Sequence, residues 1–300
     1  MQLSNLLQKI KVPAEFQRTT RSLTEFHKFK ATEYRFLLLY AGPVVFKKNL
    51  RTDVYRHLLL FHTGSRILSS KELAVDKCES ARLYLKKFVT KAPFIYNKEF
   101  VVGIVHNLIH LADDVENMNC SLSNISSFPF ENTLGRMKRL IHNGNKPLSQ
   151  LCRRWNEISH SWNEKADIPP TIQITRQLIS KELERKIPIK RVQYKEALLS
   201  TTFPNNTVLL NSNEIVQVCS MWISPNDDVN YIEITGKILR KRKALYSYPC
   251  NSHHLQMWNV SGRITDNIIF KITDIKKKMV LFDFSDSVGE KILVMPLLHM

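Results

Sequence analysis

Glycine is scarce in this chain, eight residues in 300, and its scarcity closes several routes to function. There is no GxxxxGK phosphate loop and no GxSxG nucleophile elbow, because both need glycines at fixed places for a tight backbone turn. Cysteine is thinner still. The five residues, Cys78, Cys120, Cys152, Cys219 and Cys250, are scattered, odd in number and form no CxxC pair, so neither a disulfide framework nor a zinc knuckle is encoded. A reducing compartment fits that pattern. Long apolar runs are missing too. FLLLYAGPVVF is broken by Gly42 and Pro43, RHLLLFH is bounded by Arg56 and His62, and neither approaches the roughly 18–20 apolar residues that span a bilayer. The opening MQLSNLLQKIKVPAEF lacks the apolar centre of a signal peptide. The expectation is a soluble intracellular protein with no membrane partner.

Acids are the remaining shortage. Twenty-seven Asp and Glu face 44 Lys and Arg, a formal charge of +17, which attracts polyanions and most simply nucleic acid.

The first half reads as helical. Ser22-Leu-Thr-Glu25 and Ser69-Ser-Lys-Glu72 both have capping-box spacing, a hydroxyl for the third amide and a carboxylate reaching back. The first should open a helix that Gly42-Pro43 stops, and the second a helix running to Pro93. Residues 53–68, 98–115 and 128–142 supply further helices. After Phe203 the character changes to short β-rich runs, VLLN, IVQVCSMWI, NYIEITGKIL, IIFKITDI, MVLFDF and KILVMPLL, separated by turn formers. The expected fold class is α+β, an N-terminal α-helical bundle followed by a small antiparallel β barrel or sandwich. The expected divisions are an N-terminal extension over 1–21, a helical domain over 22–160, a charged and partly helical linker over 161–203, and an all-β domain over 204–300.

Three groups of side chains stand out. His106 and His110 are four apart and share one face of a helix. They can ligate a metal, or simply hydrogen-bond the helix to its neighbours; a hydrolytic zinc site is disfavoured because Asn107 replaces the glutamate of HExxH. Glu131 heads FPFENTLGRMKRL as its lone acid. It serves either the helix macrodipole or a metal site whose other ligands lie elsewhere, and Gly135 one turn on leaves space beside it. From Asn132 to Asn156 no acid occurs, while Arg136, Lys138, Arg139, Lys146, Arg153 and Arg154 supply cations, a cluster suited to salt-sensitive phosphate contacts. Trp155 and Trp162 are aromatic neighbours more often found in cores. KILRKRK (237–243) is compatible with a nuclear-import signal or with strand residues facing water, and Lys276-Lys-Lys278 is a further basic block.

The succession KATEYRFLLLYAGPVVFK, HLLLFHTGSRILSS, YNKEFVVGIVHNLIHLADDV, SSFPFENTLGRMKRLI and NKPLSQLCRR resembles the C-terminal half of CACTA-like (En/Spm) DNA transposases and the animal proteins derived from them. The likeness covers about residues 20–155, and the closing β region looks like the tail of the animal versions. It implies an RNase H-like lineage in which three acids hold two Mg²⁺ ions. Glu131 falls on the third acid and His106 and His110 on the HxxxH element. The first two acids belong on strands upstream of the helical block, and Met1 stands almost directly before it. The expectation is therefore a transposon-derived nuclear fragment that binds DNA or assembles with other chains, without a complete catalytic site and without a cofactor of its own. The alternatives are a transposase whose partner chain donates two acids, restoring Mg²⁺ and cleavage, and a non-catalytic protein scaffold.

Overall fold

The computed structural model describes residues 2–16, 18–163, 172–174, 186–194, 196–224, 228–284 and 292–298. The helical half comprises α1 (Gln2–Lys9), α2 (Ala31–Phe36), α3 (Gly42–Val45), α4 (Thr52–Ser69), α5 (Cys78–Ile95), α6 (Gly103–His106), α7 (Leu111–Met118), α8 (Leu122–Ile125), α9 (Phe128–Leu140) and α10 (Pro147–Asn163). Its centre is the α4–α5 pair. Gly64 lets them meet: a Cβ there would lie 2.8 Å from Leu85 Cγ, closer than carbon atoms tolerate.

Gly42-Pro43 does not end the helical run as the sequence leads one to expect. Residues Leu37–Ala41 widen into a π-turn, and helix resumes at once as α3. The widening frees two carbonyls. Gly42 N–H donates to Leu37 O, and Pro43 has no N–H to give to Leu38 or Leu39, the carbonyls its position would serve in π or α pairing. Two side chains from α4 replace the missing donors: His62 Nδ1 reaches Leu38 O at 2.6 Å and Arg66 Nη1 reaches Leu39 O at 2.6 Å. Arg66 also donates to Pro296 O at 3.0 Å and lies 5.2 Å over the Tyr40 ring. It is fully buried, with no carboxylate in ion-pair contact among the described residues, so these carbonyls and that ring stand in for its hydration.

The capping expectations are met unevenly. Ser22 Oγ accepts from Thr24 N–H, but only a 3₁₀ turn over Leu23–Lys28 follows, and Glu25 bonds Lys28. Ser69 ends α4 and α5 begins at Cys78, because Glu72 pairs with Lys277 at 2.5 Å instead of turning back on its own backbone. Helix α5 runs past Pro93 to Ile95. The expected 98–115 helix is broken into short α and 3₁₀ pieces.

The C-terminal half is an antiparallel sheet. Among the described residues it contains β1 (Ile172–Ile174), β2 (Ile187–Tyr194), β3 (Ala197–Ser200), β4 (Thr207–Leu210), β5 (Ile215–Ile223), β6 (Glu233–Ala244), β7 (Trp258–Lys271), β8 (Ile275–Asp283) and β9 (Ile292–Pro296), ordered β1-β2-β5-β4-β8-β9-β7-β6 with β3 on β2. Of the last six, β4, β5, β6, β8 and β9 overlap the β-rich runs of the sequence, whereas the run IIFKITDI covers only the end of β7, which begins ten residues earlier at Trp258. The first three lie where a partly helical linker was expected, residues 164–171 and 175–185 being outside the described residues. Pro188 sits near the start of β2, where a strand tolerates a missing donor. β1–β3 branch off this path through β2, and β5 also pairs β6, so the pairings from β5 through β4, β8, β9, β7 and β6 lead back to β5.

Alternation sorts its side chains into three layers. Leu209, Ile215, Leu239, Val260, Leu281 and Val294 meet in one cluster, drawn from β4 to β9. Ile189, Val216, Ile234 and Phe270 form a second cluster. Val280, Phe282, Leu293 and Met295 face the helices and merge with Leu7, Phe36, Leu68 and Leu85. Helices and sheet thus share one core. The residues expected to be a mere N-terminal extension belong to it: Leu7 is buried, and Glu15 receives the buried Lys278 Nζ at 2.8 Å on both oxygens.

Candidate functional site

Helices α9 and α10 pack chiefly on each other. Its entry is fixed at Phe128, whose ring lies 5.0 Å from the Arg35 guanidinium; Arg35 also donates to Ser123 Oγ at 3.1 Å, and Ser123 to Ser69 O at 3.0 Å. The turn between the helices is closed by Gln150, which donates to Asn143 Oδ1 at 2.5 Å and accepts from His142 N–H at 3.2 Å. Arg154 caps the free C-terminal carbonyl of α9, Leu140 O, at 2.6 Å.

The predicted cations divide accordingly. Arg136, Lys138, Arg139 and Lys146 are exposed and make no ion pair among the described residues. Arg153 pairs with Glu157 at 3.1 Å one turn on, and Arg154 is committed to Leu140. Phe130, Leu134 and Leu148 are exposed on the same hairpin. The periodicity of Leu148, Leu151, Trp155 and Ile158 and the Pro147 at its start mark α10 as amphipathic. The sequence reading did not assign that helix.

Glu131 sits in the first turn of α9 and is exposed. Gly135 has nothing within 4 Å of where its Cβ would be, so no neighbour packs beside the carboxylate there. Among the described residues no group of three or more His, Cys, Asp or Glu side chains is placed to hold a metal ion. A two-ion Mg²⁺ site needs a set of carboxylates, and the described donors do not supply one around Glu131.

His106 and His110 stand edge to face, ring centroids 5.7 Å apart, and both are exposed. His110 Nδ1 donates to Asp113 Oδ2 at 3.3 Å. Asp113 also takes Arg82, which Glu79 holds at 2.8 Å and Glu116 contacts in turn. His110 and then Arg82 hold the Asp113 carboxyl below its ordinary range. This network fastens α7 to α5.

Of the block Lys276–Lys278, Lys277 is spent on Glu72 and Lys278 on Glu15; they are structural, not a ligand surface. In KILRKRK, Lys243 is exposed, while the side chains of Lys241 and Arg242, like that of Trp162, are outside the described residues. Three further cations escape the sequence reading altogether: Arg56, Lys87 and Lys91 line a cleft between α4 and α5. Lys87 and Lys91 are one turn apart, the only sequence signal of their shared face.

Among the described residues, no helix is long and apolar enough to cross a membrane. No curated protein and no solved structure matches the chain. Residues 176–297, which take in β2 to β9 and cover less than half the chain, match a family model described as a domain of unknown function (DUF8592).

Proposed function

We propose that this chain is a nuclear DNA-binding protein of transposase ancestry and RNase H-like lineage, and that the α9–α10 hairpin carries the contact. One observation supports the reading above others. Four exposed cations, Arg136, Lys138, Arg139 and Lys146, stand without ionic partners among the described residues on a hairpin that packs mainly on itself, in a stretch free of acids from Asn132 to Asn156. Such a surface neutralises phosphates without first breaking ion pairs, and the counterions released give affinity that falls with salt.

The test is an anisotropy titration of a random-sequence duplex in a KCl series without Mg²⁺. Four phosphate contacts give a log–log slope of about −3.6, so a fourfold rise in salt weakens binding by roughly 150-fold. Replacing Arg136, Lys138 and Arg139 with alanine should flatten the slope to about −0.9. Glu131→Gln should leave it unchanged, since the carboxylate takes no part in binding. A slope indifferent to the triple substitution would remove the proposal, and recovery of protein partners after nuclease treatment would favour the scaffold reading.

A further inference from the structure

Between the N-terminal half of α4 and the C-terminal half of α5 lies a cavity of about 620 Å³, within the range of small-molecule sites. Its polar side is basic. Arg56, Lys87 and Lys91 line it, all three are exposed, and none makes an ion pair among the described residues. Asp53 also lines the cavity, but Arg51 holds both its oxygens, at 2.6 and 2.7 Å, and offsets its charge. Tyr248, arriving from the β6–β7 connection, holds two of these cations near one ring: the Arg56 guanidinium and the Lys87 ammonium each lie 5.7 Å from its centroid.

The other side is apolar. Leu60 and Ile95 form its wall, and Phe94 stands at the rim, 89% exposed. The floor adds no charge. His57 donates from Nε2 to Phe88 O at 2.8 Å, so Nδ1 is left to accept from the Tyr96 hydroxyl at 3.2 Å, and burial lowers its affinity for a second proton.

Three cations gathered at one cavity repel one another unless an anion joins them, and a phosphate monoester carries close to two negative charges at neutral pH. A free aromatic ring at the lip of the same cavity favours a ligand with a flat face to stack on it. We infer that the α4–α5 cleft binds a nucleoside monophosphate, free or as the 5′-terminal nucleotide of a strand, with its phosphate among Arg56, Lys87 and Lys91 and its base against Phe94. This site is independent of the α9–α10 surface.

Calorimetric titration of the full chain with deoxyadenosine monophosphate, inorganic phosphate and deoxyadenosine tests the inference. The monophosphate should bind at least about tenfold tighter than either fragment, because only it engages both walls. The Lys87→Ala/Lys91→Ala double substitution should weaken it by about tenfold or more, and Phe94→Ala by about fivefold. Arg136→Ala/Arg139→Ala should change nothing, which separates this cleft from general attraction to polyanions. All these side chains are exposed, and an unchanged thermal melt confirms that the variants fold. A 5′-phosphorylated trinucleotide competing better than its 5′-hydroxyl counterpart would support the site and identify a strand end as its source; competition by the free nucleotide alone would support the site and identify the other. Phosphate binding as tightly as the monophosphate, no binding at millimolar concentration, or binding indifferent to the double substitution would each overturn the inference.

Discussion

Replacing Arg66 with methionine and with lysine should rank the substitutions in an order that hydrophobicity and charge conservation alone do not give. The guanidinium makes bonds of 2.6 Å to Leu39 O and 3.0 Å to Pro296 O and covers the Tyr40 ring. Charge-assisted bonds contribute about 1.5–3 kcal/mol each, and a desolvated cation–ring contact about 2 kcal/mol. Methionine forfeits roughly 5–8 kcal/mol of these, yet it also ends the burial of a cation without an acid, a relief of several kcal/mol. The expected net loss is about 2–3 kcal/mol. Lysine keeps the buried charge, is more strongly hydrated when unfolded, and cannot span both carbonyls or lie flat on the ring. Its expected loss is about 3–5 kcal/mol, larger than that of methionine despite the conserved charge. Urea unfolding followed by circular dichroism gives the order. Amide exchange at Leu298, whose N–H donates to the Tyr40 hydroxyl at 2.9 Å, should speed up in both variants as the joint loosens. A lysine variant as stable as the parent, or more stable than the methionine one, would refute the reasoning, since the planar fork would then be dispensable.

Two further outcomes concern the same core. Gly64→Ala should destabilise by about 1–3 kcal/mol in thermal or urea unfolding, although alanine ordinarily favours a helix over glycine by about 1 kcal/mol; the added Cβ meets Leu85 at 2.8 Å. His62 is buried beside Arg66, and burial first, then that cation, pushes its pKa from 6.5 down to about 3. Below pH 6.5 the unfolded chain takes up a proton that the folded chain refuses. The His62 contribution is therefore fully present above that pH and falls by about 1.4 kcal/mol per unit as pH drops toward the folded value. His62→Gln should flatten the decline measured between pH 6.5 and 5, leaving the smaller one in the same direction from His57.

The split into helices and strands was legible because it rests on local signals. β4, β5, β6, β8 and β9 overlap runs rich in β-branched and aromatic residues, β7 does so only at its end, and α4 and α9 match their expected bounds within two residues. What was not legible depends on distant partners. Glu72 has a capping position in sequence but pairs with Lys277 in space. Gly42-Pro43 ought to stop a helix, and does not because His62 and Arg66 take the carbonyls it leaves free. Lys276–Lys278 looks like a basic patch, yet Lys278 is buried on Glu15. The cations of α9 and α10 could be counted in advance, but only the structure separates Arg153 and Arg154, which are engaged, from the four that are not. The α4–α5 cleft was invisible because Tyr248 reaches it from far along the chain.

The ties from Lys278 to Glu15, from Arg66 to Pro296 and from Leu298 to Tyr40 join residues more than two hundred positions apart. Loops of that size close late and slowly. During synthesis, at about 5–20 residues per second, the helical half emerges many seconds before its stitches exist. Through that interval Arg66 lacks its second carbonyl and the apolar faces later covered by β8 and β9 stay wet, so the nascent chain is most open to aggregation or chaperone capture just before β9 arrives.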